Sequence, residues 1–147
     1  MIRAPEPGDA EILIAGRDEV FHRWLGPGSD VPQPVGCIVV DDEVVGWVDY
    51  DPNQPWLAAG EVNLGYNVFA PHRGKGYASR AVELLVHHLA VCTGHRTATL
   101  LIHPHNERSL ALARRTGFTP SGELDGNLRF NRPVPSPAST QKRSSQA

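Results

Sequence analysis

The chain predicts an α/β fold in which a mixed, mostly antiparallel sheet carries helices on its faces. Three observations predict it. Segments with helical spacing alternate with segments rich in β-branched residues. Two of the β-branched runs flank a short acidic turn, which marks a hairpin. After residue 76 the order becomes helix, strand, helix, strands, which places helices over a sheet.

The elements follow in order. Residues 1–4 predict a short strand broken by Pro5 and Pro7. Asp9 is expected to cap a first helix by accepting from the amides of its first turn. Ile12, Leu13, Val20, Phe21, Trp24 and Leu25 mark one or two short helices, with Gly16 dividing them and Gly26-Pro27 ending them. "GPGSDVPQP" reads as a loop. "VGCIVV", "DDE" and "VVGWVDY" form the hairpin, and Glu61–Phe69 a further strand beside it. Ala78, Val82, Leu85, Val86 and Leu89 are the buried stripe of a long helix, for which Gly94 suits the C-terminal end. Thr97–Ile102 is a strand. Asn106–Arg115 is an amphipathic helix closed by Gly117, with Leu110 and Leu112 inward. "FTPSGEL" and "LRFNRPV" are weaker strands. These elements make one domain over residues 1–132. The Pro- and Ser-rich stretch 133–147 has almost nothing to bury and is expected to be a disordered tail.

Composition narrows the function. The 147 residues suffice for a hydrophobic core, and 40% of them are hydrophobic. A net charge of −2 supplies no basic field for nucleic acid. No apolar run approaches a membrane span, and the N-terminus lacks the apolar centre of a signal peptide. Cys37 and Cys92 are too few for a disulfide framework. His87, His88, Cys92 and His95 offer no convergent set of three or four ligands, so no metal is expected. The expectation is a cytoplasmic, soluble protein that binds neither nucleic acid nor membrane.

One motif stands out. "FAPHRGKGYASRAVELL" runs a basic, glycine-broken turn into the long helix with no Ser, Thr or Asp to cap it. The first amides of a helix have no intrahelical acceptor and carry partial positive charge. A phosphate can accept from them, and glycines let the backbone come close to it. Arg73 and Lys75 add charge. The turn is not a P-loop, because Gly76 rather than Ser or Thr follows Lys75; nor is it a dinucleotide fingerprint, because Ser79 stands at the place of the last glycine. A solvated basic turn opening an ordinary helix is the alternative reading of the turn alone.

Arg73-Gly74-Lys75-Gly76-Tyr77-Ala78 resembles the Arg/Gln-x-x-Gly-x-Gly/Ala signature of the GNAT acyl-CoA N-acyltransferases. "IHPHNERSLALARRTGF", "GWVDYDP" and "EVNLGY" are similar to segments of their RimJ/RimL-like branch, which acetylates protein N-termini and other amines. The resemblance runs from about Val35 to Glu123. It implies a sheet splayed between two central parallel strands, here 61–69 and 97–102, with acetyl-CoA in the gap and coenzyme A as product. It implies pantetheine pairing near Tyr66, Asn67 and Val68, with Asn106 in reach. It places the diphosphate on Arg73, Gly74, Lys75, Gly76, Tyr77, Ala78 and Ser79.

Acyl transfer to an amine needs a neutral nucleophile, a donor for the oxyanion of the tetrahedral intermediate, and a stabilised leaving thiolate. By the resemblance, Glu61 is the candidate base, the Val68 amide the oxyanion donor and Ser109 the group near the sulfur. Many GNAT enzymes place a Tyr acid where this chain has Ala113. Each role has a plainer alternative: Glu61 as an exposed strand-end acid, Ser109 as a helix-start residue beside the cap Asn106. Glu123 and Asp125 are substitutes for the base. Trp24, Tyr50 and Trp56 are candidates for the acceptor pocket, and Trp47 for the core. The acceptor is a small-molecule or peptide amine, and the short N-terminal part leaves room for a second subunit, so a homodimer is an open option. A non-catalytic acyl-CoA-binding or sensor module, and a longer donor such as succinyl-CoA, stay open beside acetyl transfer.

Overall fold

The structure is a computed structural model and describes residues 1–136. The expected tail lies largely outside the described residues. The last strand, expected over "LRFNRPV", ends at Pro133, and Val134 is buried and donates its amide to Arg96 O at 2.8 Å.

The elements in order are β1 (Ile2–Arg3), α1 (Asp9–Ala15), α2 (Glu19–Leu25), β2 (Gly36–Val40), β3 (Glu43–Asp51), β4 (Glu61–Val68), a 3-10 turn (Ala70–His72), α3 (Tyr77–Cys92), β5 (Thr97–Ile102), α4 (Glu107–Arg115), β6 (Thr119–Leu124) and β7 (Asn127–Pro133). The strands form a seven-stranded sheet in the order β1-β2-β3-β4-β5-β7-β6. Among the described residues, no helix is long and apolar enough to cross a membrane.

The residues gather into two compact units, and β4 and α3 each run through both. The first unit holds Met1–Tyr50 and Gly65–Val82. In it β1 and β2 pair antiparallel, as do β2 and β3. The hairpin turn uses Asp41 and Asp42 at φ 50° and 64°. Two successive left-handed residues match the twist of a tight hairpin, and Asp tolerates that conformation better than most side chains. Leu13, Cys37, Val39, Val44 and Phe69 form a buried cluster, with Trp47 packed against it. Trp47 thus packs partly buried against the core, in keeping with its expected core role.

Asp9 does not cap α1. Gly8 occupies the cap position with no side-chain bond, and Asp9 is the first helical residue. Its carboxylate turns back instead, accepting from Glu6 N–H at 2.7 Å and from both terminal nitrogens of Arg3 at 2.6 and 3.1 Å. The buried thiol of Cys37 lies 3.6 Å away, and burial pushes it up to about 11, so it stays protonated and can donate. Asp9 is therefore the staple of the N-terminal strand. Asp9→Ala should destabilise the protein by about 3 kcal/mol, the low end for breaking a buried pair. Equilibrium denaturation in urea checks this, with Ile12→Ala on an exposed α1 position as the small-effect control.

The second unit holds Asp51–Leu64 and Glu83 onward. Here β4 and β5 run parallel through Glu61↔Thr97, Val62↔Ala98 and Asn63↔Thr99. The hydroxyl of Thr99, fully buried, donates to Val62 O at 3.0 Å. Strand β5 then pairs antiparallel with β7, and β7 with β6. The expected parallel pair is thus 61–63 with 97–99. On α3, Ala81, Val82, Leu85, Val86, Leu89 and Ala90 are buried, so the stripe is where the 3.6-residue period put it. The helix ends at Cys92, just before Gly94 as expected, and Gly94 is not among the left-handed glycines. Thr93 closes it, its hydroxyl donating to Leu89 O at 2.6 Å and accepting from His95 N–H at 3.3 Å.

Candidate functional site

In the first unit, β4 delivers the chain into the 3-10 turn and then into the glycine turn. Gly74 and Gly76 sit at φ 78° and 82°. A Cβ at either would meet nothing within 4 Å. Backbone conformation, not packing, requires these glycines, and the space before them is open. The helical ladder opens with Arg80 N–H to Gly76 O at 3.1 Å. The amides ahead of it belong to the helix turn that has no intrahelical acceptor. Lys75 is exposed beside them.

Arg73 is differently placed. Its amide donates to Ala70 O at 3.3 Å. Its guanidinium donates Nε to Val68 O at 2.8 Å and Nη1 and Nη2 to the carboxylate of Asp18 at 2.6 and 3.1 Å. All three guanidinium nitrogens are in use, so its charge is balanced by Asp18 before any anion arrives. The sequence reading missed Asp18. Its signal was present: an Asp before Glu19 and the apolar pair Val20-Phe21 is a helix start. Asp18 is indeed the cap of α2, accepting from Phe21 N–H at 2.9 Å.

The Arg73 fork holds the carboxyl of Asp18 down to about 2, and the Arg3 fork does the same for Asp9. Both values lie below the ordinary 3.8. A lowered carboxyl binds its proton more weakly in the folded chain than in the unfolded one. The stability both pairs contribute is therefore full above about pH 4 and is lost as pH falls toward 2. The midpoint of urea unfolding should drop through that window, and less so in Asp9→Asn.

Val68 ends β4, and Phe69 N–H donates to Val45 O at 2.8 Å. Asn67 is buried at 7% exposure, and its Nδ2 has no acceptor among the described residues. A buried amide without an acceptor is costly, and a ligand carbonyl would satisfy it. Coenzyme A carries an arm with two amides joined through a diphosphate to a nucleoside. An orphan donor on β4, open left-handed glycines and a helix start are features that such a ligand fits. Trp24 and Tyr50 are half-buried in this unit, with Arg23 stacked 4.6 Å over Trp24.

In the second unit, Glu61 opens β4. One Nη2 of Arg129 reaches both its oxygens at 2.6 Å, and Ala58 N–H donates to Oε1 at 2.7 Å. The Glu61 side chain is 12% exposed. It is not the open strand-end acid of the plainer alternative; it is the anionic half of a shielded pair. Arg129 also stacks over Trp56 at 5.5 Å, which gathers Glu61, Arg129 and Trp56 into one cluster. Arg129 was missed because β7 pairs with β5, not with β4, and no local pattern announces that reach. At the start of α4, Asn106 is the cap, accepting from Ser109 N–H at 3.3 Å. Ala113 is fully buried. Glu123 and Asp125 are exposed at the β6–β7 end, Asp125 in the turn at φ 50°. Among the described residues, no group of three His, Cys, Asp or Glu could hold a metal ion.

Residues 1–119 match the family described as acetyltransferase (GNAT) domain. The chain belongs to the GNAT acetyltransferase family. Its relatives include an uncharacterised N-acetyltransferase, YycN, of Bacillus subtilis, 30% identical over 116 residues, covering 76% of this chain and 70% of that protein. The ribosomal-protein-serine acetyltransferase of Escherichia coli is 30% identical over 87 residues, covering 59% of this chain and 48% of that protein. The match thus spans about half the length of the latter. Among solved structures, the N-acetyltransferase of Staphylococcus aureus Mu50 has a TM-score of 0.73 at 20% identity, covering 92% of this chain and 98% of that one. RimJ of Mycobacterium smegmatis, solved with CoA-disulfide, has a TM-score of 0.72 at 20% identity over 99% of this chain and 88% of its own. In this GNAT acetyltransferase, the glycine turn and the start of α3 are the segment that the family signature covers.

Proposed function

We propose that this GNAT chain acetylates a primary amine, a protein N-terminus or a small-molecule amine, by direct attack of the amine on acetyl-CoA. The observation that carries the reading is the turn at Gly74 and Gly76, with open space before two left-handed glycines and a helix behind them. The similarity to the ribosomal-protein-serine acetyltransferase of Escherichia coli and, in fold, to RimJ of Mycobacterium smegmatis favours the RimJ/RimL-like branch.

Bound there, acetyl-CoA supplies an activated acyl carbon and a thiolate leaving group. The amides from Gly74 to Ser79, with Lys75, hold the diphosphate, and Asn67 Nδ2 donates to a carbonyl of the pantetheine arm. Asn106 caps α4. The Val68 amide donates to the developing oxyanion. Ser109 hydrogen-bonds the sulfur. Glu61 removes a proton from the incoming ammonium through a water, using lone pairs that Arg129 and Ala58 leave available. Trp56, beside that pair, is the acceptor-side aromatic of this cluster. Nothing in this scheme needs a covalent enzyme intermediate.

A thiol-release assay with acetyl-CoA against amines, N-terminal peptides and aminoglycosides tests the reading. Release with at least one acceptor is expected. Tight CoA binding with no release on any of them favours the second reading, a non-catalytic acyl-CoA sensor. The observation on its side is the Glu61–Arg129 pair, which occupies the carboxylate that the enzyme needs as a base. Glu61→Gln separates the two roles. As base, Glu61 matters most at low pH, where the amine is hardest to deprotonate. The variant should lose about 100-fold in turnover below pH 7, within the usual range for general bases, and less at pH 9. A pH–rate profile parallel to the parent's removes Glu61 from the chemistry.

A further inference from the structure

We infer that Asp18 is a positioning residue for the transfer, acting through Arg73 on the peptide that ends β4; the inference rests on the transferase reading above. Every contact it uses lies in the first unit. The Asp18 carboxylate caps α2 through Phe21 N–H at 2.9 Å and receives Nη1 and Nη2 of Arg73 at 2.6 and 3.1 Å. A guanidinium is a rigid planar fork, so fixing its two terminal nitrogens also sets the direction of Nε. That Nε donates to Val68 O at 2.8 Å.

The same peptide is held from its other side. Phe69 N–H, the donor of the Val68–Phe69 peptide, bonds to Val45 O at 2.8 Å. The carbonyl of Asn67, one peptide earlier, lies against Gly46 with no room for a Cβ between them. Two peptide planes meet at the Val68 Cα: the Val68–Phe69 plane is gripped at its carbonyl by Arg73 and at its amide by β3, and the Asn67–Val68 plane is confined at its carbonyl by Gly46. The Val68 N–H shares its peptide with that preceding carbonyl. Its direction is set by the Gly46 contact on its own plane and, through the Val68 dihedrals that join the two planes, by the grips of Arg73 and β3; an oxyanion donor works only when aimed in advance. Of these grips, only Arg73 reaches in from a side chain, and Asp18 is what keeps that side chain forked. The pair is shielded, with side-chain exposures of 29% for Asp18 and 15% for Arg73.

Asp18→Asn isolates the effect, because Asn caps a helix as well as Asp does while losing the charge and half the fork. Four readings are taken on the variant and the parent: kcat with the best acceptor, CoA affinity by calorimetry, Tm, and the amide resonances of Val68 and Phe69 in 15N spectra. Turnover should fall about 10-fold, less than the 100-fold or more that follows outright loss of an oxyanion donor. CoA affinity should stay within about twofold, since the amides of the glycine turn do not bond to Asp18. Both resonances should move. Arg73→Lys, which keeps the charge but not the fork, should give the same turnover loss, and the double variant should be no worse than either single one. Unmoved resonances, or unchanged turnover, overturn the inference. So does a parallel fall in turnover and CoA affinity, which would mean that residue 18 serves the phosphate turn. If the parent releases no thiol on any amine, the transferase reading falls and this one with it, a result told apart because it does not involve residue 18.

Discussion

Gly76→Glu should abolish coenzyme A binding. The glycine lies at φ 82°, and a side chain there would extend into open space. The Glu carboxylate would sit where the diphosphate is proposed to rest, repelling it and competing for the same amides. Two separate penalties are involved. Any side chain at this φ costs about 1–2 kcal/mol of backbone strain. The charge adds a direct competitor for a site selected for anions. Gly76→Ala carries the first penalty without the second. Calorimetric titration with CoA should therefore show a loss of a few fold for Ala and at least about 100-fold for Glu, equivalent to ~2.7 kcal/mol. Equal affinities for Glu and the parent would place the diphosphate elsewhere. Equal losses for Ala and Glu would assign the effect to strain.

Gly46→Ala is expected to be the most damaging single methyl in the first unit. A Cβ at residue 46 would overlap the carbonyl oxygen of Asn67 and lie 3.0 Å from Val68 Cα. The obstacle is backbone, which cannot rotate aside as a flexible side chain would. The end of β4 must shift or the strand pairing must break, a cost of about 3 kcal/mol, at the upper end for overpacking. For a chain of this size that lowers Tm by about 10 °C. The shift falls on Asn67 and Val68, so thiol release should drop even below the melting range. Gly65→Ala is the control. Its Cβ would meet Trp47 Cζ3 at 3.6 Å, an ordinary contact, and Tm should change little. A Gly46→Ala protein with the parent's Tm and turnover would show that the close approach does not govern the site.

The elements were legible because their signals are local. The period of Val82, Leu85, Val86 and Leu89 puts one face inward whatever the helix packs against. The Asp-Asp turn between β-branched runs closes a hairpin from within six or seven residues. The glycine turn could be read too, since it needs left-handed backbone that only its own residues can supply. Caps were harder. Asp9 and Asp18 both precede apolar helical stretches and look alike in sequence. One turned back to Arg3, six residues away, while the other capped its helix and reached Arg73 across 55 positions. What separated them was which arginine the fold brought within reach.

The candidate site divides in the same way. Gly74 and Gly76 could be read from their own turn as a place for an anion, and Asn67 entered only through the family resemblance. The partners of the charged residues could not be read this way. Glu61 became half of a pair because β7 carries Arg129 to it from 68 positions away. Arg73, read as a charge for phosphate, became a brace because Asp18 stands beside it.

The sequence by itself determined the element order, the helical stripe, the hairpin and the glycine turn, since each depends on backbone preference and periodicity within a few residues. Only the tertiary structure decided which charges are spent and which are left for a ligand. A side chain's charge is a property of the residue, but its availability depends on the nearest opposite charge, and sequence distance does not encode that.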